Sequence, residues 1–151
     1  MIIKYLLVLA ISFCACLILM PVVIACAKEL CRNKLTVVFG CGGNRDKGKR
    51  YEMGKISARL CDKVVVTLDN PRDEEPQDII NDILGGCLKK PSAVEVDREK
   101  AIFLAVGKAT ANDIILVAGK GHEKEQVIKN VRYYFDDCEV LRKFAEKKDE
   151  K

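Results

Sequence analysis

Three short β-branched runs in this chain each end in a loop of glycine, proline or charged residues, and helix-periodic segments separate them. The runs are Leu35–Phe39, Lys63–Leu68 and Ile114–Ala118. Near-continuous apolar runs suit strands buried on both faces, as in a parallel sheet; a half-buried antiparallel strand would alternate apolar with polar residues. The intervening segments have the other period. Between Glu75 and Leu88 the apolar positions are Ile79, Ile80, Ile83, Leu84 and Cys87, which is one face of a helix. A second helix is expected from about Tyr51 to Cys61. Asp97 is placed to cap a third, which presents Ile102, Phe103, Val106 and Ala109. Ala93–Val96 reads as a brief strand, and Gln126–Lys129 with Arg132–Phe135 as a hairpin turning near Asn130. A last helix is expected from Asp136 to Lys147, with Val140, Leu141 and Phe144 inward.

In sheets of alternating strands and helices, ligands bind beyond the carboxyl ends of the strands. Three polar loops lie there, at residues 40–50, 69–73 and 119–125. The first contains Gly43-x4-Gly48-Lys49, a phosphate-loop pattern whose final Ser or Thr is replaced by Arg50. Without that hydroxyl a magnesium-binding phosphate loop is not expected. Gly40, Gly42 and Gly43 imply close backbone approach, and Arg45, Lys47, Lys49 and Arg50 suit the loop to a carboxylate or phosphate. The second loop, Asp69-Asn70-Pro71-Arg72, sets an acceptor, a carboxamide, a rigid turn and a guanidinium within four residues. It reads equally as a strand-ending turn. In the third, Gly119-Lys120-Gly121-His122-Glu123, the histidine has no evident catalytic partner, and Glu123 could accept a ligand ammonium.

Lys and Arg are interleaved with Asp and Glu, and the net charge is only +4, so no electrostatic footprint for nucleic acid exists. The eight cysteines form no Cys-x-x-Cys pair, and the single histidine lies far from most of them. Zinc-site spacing is therefore absent, and reduced structural thiols are expected. No metal ligands and no catalytic residues are assigned within the chain.

Tyr5 to Ala27 carries no charge, which is long enough to cross a bilayer, a span of about 20 apolar residues. Lys4 before an apolar core, with Ala25-Cys26-Ala27 behind it, also fits a signal peptide. A buried helix is the third reading, although Pro21 interrupts it. Residues 1–27 are thus expected to be a signal or transmembrane segment, with membrane contact through residues 5–27. Lys28, Arg32 and Lys34 outnumber Lys4 and favour the cytoplasm for the following domain if the segment stays. The whole is expected to be α/β: a Rossmann-like, mostly parallel sheet with helices on both faces, plus an N-terminal hydrophobic helix.

Phe39-Gly-Cys-Gly-Gly-Asn-Arg-Asp-Lys-Gly-Lys-Arg50, Asp69-Asn-Pro-Arg72 and Ala118-Gly-Lys-Gly-His-Glu123 occur in this order and spacing in the Mur ligases. Residues 28–151 resemble the C-terminal domain of the branch that adds meso-diaminopimelate to UDP-N-acetylmuramoyl-L-alanyl-D-glutamate in peptidoglycan biosynthesis. The resemblance implies a cytoplasmic, ADP-forming acid–amino-acid ligase. Carried over by position, it implies that Arg45, Asp69, Asn70, Pro71, Arg72, Gly119 and Glu123 contact meso-diaminopimelate. Arg72 would fork onto the distal carboxylate and Glu123 would balance the ammonium. Leu68 stands where an acidic residue is common in the family, and Tyr51 where proline is common. The family's ATP and magnesium sites belong to a central domain that this chain does not contain. Neither the UDP-binding domain nor the Asp-Tyr-Ala-His opening of the C-terminal domain is present. The expectation is a truncated or split ligase whose missing domains form a separate chain, with no cofactor site of its own. A non-catalytic anchored or secreted binding protein, or a gene remnant, stands as the alternative.

Overall fold

The computed structural model describes residues 6–8 and 16–149. The elements run β1 (Leu6–Val8), α1 (Cys16–Leu30), β2 (Leu35–Phe39), α2 (Lys47–Leu60), β3 (Lys63–Val66), α3 (Pro76–Gly86), β4 (Ala93–Val94), α4 (Arg98–Lys108), β5 (Ile114–Ala118), β6 (Glu125–Ile128), β7 (Val131–Tyr134) and α5 (Asp137–Asp149). Strands β1-β5-β2-β3-β4 lie side by side in that order, and every pairing is parallel. The expected hairpin forms separately as antiparallel β6 and β7.

Strand periodicity divides the core into two layers, because successive side chains leave opposite faces. Leu35, Val37, Phe39, Val64, Val66, Ile114 and Leu116 pack with Met20, Ile24 and Ala27 of α1, Met53 of α2, and Ile79, Ile80 and Ile83 of α3. Val38, Val65, Ile115 and Val117 pack on the other side with Ala101, Ile102, Ala105 and Val106 of α4 and Leu141 of α5. Both faces of the sheet are therefore covered by helices, which is why the central strands read as unbroken apolar runs. Asp97 caps α4 as expected, accepting from the Lys100 amide at 3.1 Å. Phe103 departs from the inward position expected of it. It is 52% exposed and meets Phe144 edge-on, with ring centroids 5.0 Å apart.

The N-terminal run also departs from the expected single hydrophobic helix. Leu6–Val8 forms an edge strand beside Ile115–Val117, and α1 follows. Pro21 lies inside α1 without ending it. Met20, Ile24 and Ala27 are at most 1% exposed, in the same layer as Leu35 and Val37. The small-residue site Ala25-Cys26-Ala27 is thus mid-helix, with Ala27 in the core. Among the described residues no helix is long and apolar enough to cross a membrane. Residues 1–5 and 9–15, the rest of the segment, lie outside the described residues. An apolar run alone does not distinguish a buried strand and helix from a membrane span.

Of the eight cysteines, Cys26, Cys31, Cys41, Cys61, Cys87 and Cys138 are free thiols, and the other two lie outside the residues whose side chains are described. Burial pushes the Cys61 thiol up to about 12.

Candidate functional site

Strands β5, β2 and β3 are consecutive neighbours, so the loops that follow them meet at one end of the sheet. The loops after β2 and β3 are joined by backbone. The Gly43 amide donates to the Asn70 carbonyl at 2.7 Å, and Arg72 Nη1 donates to the Gly43 carbonyl at 2.7 Å. A Cβ at residue 43 would lie 1.8 Å from the Pro71 carbonyl oxygen, so only glycine fits there. The loops after β3 and β5 are joined by side chains. Asn70 Nδ2 donates to Glu123 Oε2 at 2.9 Å, and Lys120 Nζ donates to Asn70 Oδ1 at 3.1 Å. The hairpin completes the cluster: the Val127 amide donates to Asn70 Oδ1 at 3.0 Å and Gln126 Nε2 to the Asp69 carbonyl at 2.8 Å. Arg72, with φ 53°, bonds through its backbone to Val127 and Lys129.

Four of the seven residues singled out above lie where these loops join. Arg72 Nη1 and Arg45 Cγ would lie 2.9 and 3.6 Å from a Cβ at Gly42, so both arginine side chains converge over that glycine. Asn70 is buried and joins the loop after β3 to Glu123, which is exposed. The other three belong to the framework. Asp69 is 5% exposed and turns inward, with Oδ1 3.3 Å from Lys120 Nζ but without a well-aligned donor. Pro71 is buried, and Gly119 adopts φ 117°, a conformation that suits glycine. His122 is exposed.

Arg50 corrects the expectation that the first loop offers four cations. Its side chain is fully buried, donating from Nη1 to Glu74 and Asp82 and from Nη2 to Glu74 and the Gly42 carbonyl. The guanidinium, hydrogen-bonded to both Glu74 oxygens, holds that carboxyl at about 2, below the ordinary 4.5. Glu74 in turn accepts from the Asn44 amide, so Arg50 shapes the loop from beneath. Nor does the loop fit a nucleotide phosphate. The Gly43 amide is engaged by Asn70, and Asp46 caps α2 at the Gly48 amide, setting a carboxylate where an anion would bind. Among the described residues no three or more His, Cys, Asp or Glu side chains gather as metal ligands.

Residues 20–121 match the description "Mur ligase, glutamate ligase domain". The chain belongs to the Mur ligase family. This Mur ligase domain is 50% identical over 118 residues to a UDP-N-acetylmuramoyl-L-alanyl-D-glutamate--2,6-diaminopimelate ligase of Prochlorococcus marinus strain NATL2A, covering 78% of this chain and 23% of that protein. It is 57% identical over 107 residues to the same-named ligase of Neisseria meningitidis serogroup A, covering 71% and 22%. A solved structure of a ligase of that name superposes with a TM-score of 0.84 at 35% identity, covering 95% of this chain and 29% of the other. The mixed α/β, mostly parallel sheet is thus the fold of the Mur ligase C-terminal domain. The chain spans less than a quarter of the length of these curated relatives.

Two residues that organise this loop cluster gave little sign in the sequence. Arg98, 1% exposed, donates to both Asp137 oxygens at 2.8 Å and to the Leu68 and Ala118 carbonyls, tying the ends of β3 and β5 to α4 and α5. Burial opposes its charge most strongly of any single influence, but Asp137 and Asp69 together outweigh it and raise the pKa. Nothing local marks Arg98, since its partners are 20 to 39 residues away. Lys120 is buried between the loops, and desolvation lowers its pKa. Its flanking glycines directly after a buried strand were the available signal.

Proposed function

We propose that this domain binds meso-diaminopimelate and orients its amine for amide formation with UDP-N-acetylmuramoyl-L-alanyl-D-glutamate. The acyl phosphate that the amine attacks would be formed by the parts of the ligase outside this domain, in the same protein or as a separate chain. The observation that carries the reading is the convergence of Arg45 and Arg72 over Gly42, with Asn70 joining the same cluster to the Glu123 carboxylate, so that cations and a carboxylate share one set of loops. A diamino-dicarboxylate matches that polarity. Arg72 uses one N–H on Gly43 and retains donors for a distal carboxylate, while Glu123 accepts from the distal ammonium. Holding the amine in one pose is an entropic contribution to the reaction. Names of relatives that share half of their aligned residues with this domain support the same ligand. Two-dimensional NMR of the 151-residue chain tests it. Meso-diaminopimelate is expected to shift the amides of residues 42–45, 70–72 and 119–123 together; shifts confined to other loops would contradict the site.

Residues 1–27 carry a second, narrower proposal. The outward face of α1 includes Ile18, Leu19 and Val22, which are 77, 42 and 56% exposed. That exposed apolar face supports peripheral contact with a membrane through the residue 5–27 segment, beside the cytoplasmic location typical of the family. Co-flotation of the chain with phosphatidylglycerol vesicles, abolished by Ile18→Asp with Val22→Asp, is the expected result. Absence of flotation would remove this reading.

A further inference from the structure

Lys120 is 2% exposed and surrounded by acceptors. Its Nζ donates to Asn70 Oδ1 at 3.1 Å and to the Glu125 carbonyl at 2.6 Å, and lies 3.3 Å from Asp69 Oδ1. The Phe135 ring covers it, with the centroid 5.8 Å away. An ammonium so enclosed does not reach a ligand.

Its influence runs through Asn70. A carboxamide offers an acceptor on one side and donors on the other, and its neighbours decide which way it faces. Lys120 Nζ and the Val127 amide are both donors and both meet the same atom of Asn70, at 3.1 and 3.0 Å. Oδ1 is therefore inward and Nδ2 outward, where it meets Glu123 Oε2 at 2.9 Å. Turned over, the amide would set NH2 against an ammonium and an N–H, and its oxygen against the Glu123 carboxylate. We propose that Lys120 is a positioning residue for the amino-acid site, fixing the Asn70 carboxamide so that Nδ2 anchors Glu123 and offers its second N–H to the ligand. The proposal rests on the reading that an amino acid binds at this loop cluster.

Two measurements on the full 151-residue chain test it. In the first, the Asn70 side-chain NH2 resonances are assigned by their loss in Asn70→Ala and followed without ligand. The pair is expected to be well dispersed in the parent and to move to free-amide positions in Lys120→Met, while backbone signals of β2 and β5 stay. An unmoved pair would overturn the proposal. If Lys120→Met does not fold, Lys120→Arg, which keeps a charge opposite Asp69 but displaces the donor, is read in the same way.

The second measurement is a calorimetric double-mutant cycle with meso-diaminopimelate. Lys120→Met is expected to weaken binding about tenfold in the parent and less than about twofold in the Asn70→Ala background, because coupled residues are not additive. Equal losses in both backgrounds would show that Lys120 acts independently of Asn70, and the proposal would fall. A parent chain that binds no meso-diaminopimelate would count against the ligand assignment, while the NMR result would still decide the role of Lys120.

Discussion

Asn70 Nδ2 donates to Glu123 Oε2 across 2.9 Å, although the strands that these residues follow, β3 and β5, are separated in the sheet by β2. The side chain spans the end of the central strand, and its oxygen also accepts from Val127 of the hairpin. One carboxamide thus locks together the loop after β3, the loop after β5 and the hairpin.

Hydrogen exchange reads that lock directly. In Asn70→Ala the Val127 amide loses its acceptor and is expected to exchange faster, whereas Asn70→Asp keeps an oxygen there and keeps protection. Equal protection in all three proteins would show that the bond does not hold the hairpin.

Acid should loosen the loop after β2. The Glu74 carboxyl sits at about 2 in the folded chain and near 4.5 when unfolded, because Arg50 donates to both of its oxygens. Between those values the unfolded chain binds more protons, so this pair's stabilisation is complete above about pH 4.5 and lost as pH falls toward 2. Urea midpoints measured from pH 6 to pH 2 should drop more steeply in the parent than in Glu74→Gln. Parallel curves would contradict the pairing.

Substitutions in α1 separate its two faces. Ile24 is wholly buried, and Ile24→Ala is expected to destabilise the domain by about 2–5 kcal/mol. Ile18 is 77% exposed, and Ile18→Ala should change stability by no more than roughly 0.5 kcal/mol. Deleting residues 1–27 should therefore unfold the sheet rather than release an intact domain. A stable, cooperatively melting 28–151 fragment would contradict the packing of α1.

The strands and the convergence of loops were legible in the sequence because both follow from local signals. Val64, Val65 and Val66 announce a doubly buried strand, and a glycine or Asn-Pro turn announces its carboxyl end. What stayed hidden depends on distant partners. Arg50 looked like one more loop cation, but Glu74 and Asp82, 24 and 32 residues on, draw it inside. The partner of the Asp69 carboxylate was equally hidden: it faces Lys120, 51 positions later in the chain. The apolar run from Tyr5 was long enough for a membrane, and only the sheet edge at Ile115 reveals a strand within it.

Ligand preference tests the central claim most directly. Arg72 is half-buried and already bonded to Gly43, so lysine leaves it partly solvated rather than stranded. The preference is accordingly set by one charge-assisted contact to the distal carboxylate, about 1.5 kcal/mol or roughly tenfold. Titration calorimetry of the 151-residue chain should show tighter binding of meso-diaminopimelate than of L-lysine, and Arg72→Ala should erase the difference by weakening only the former. Equal affinity of the parent for the two amino acids, or a preference that survives Arg72→Ala, would contradict it.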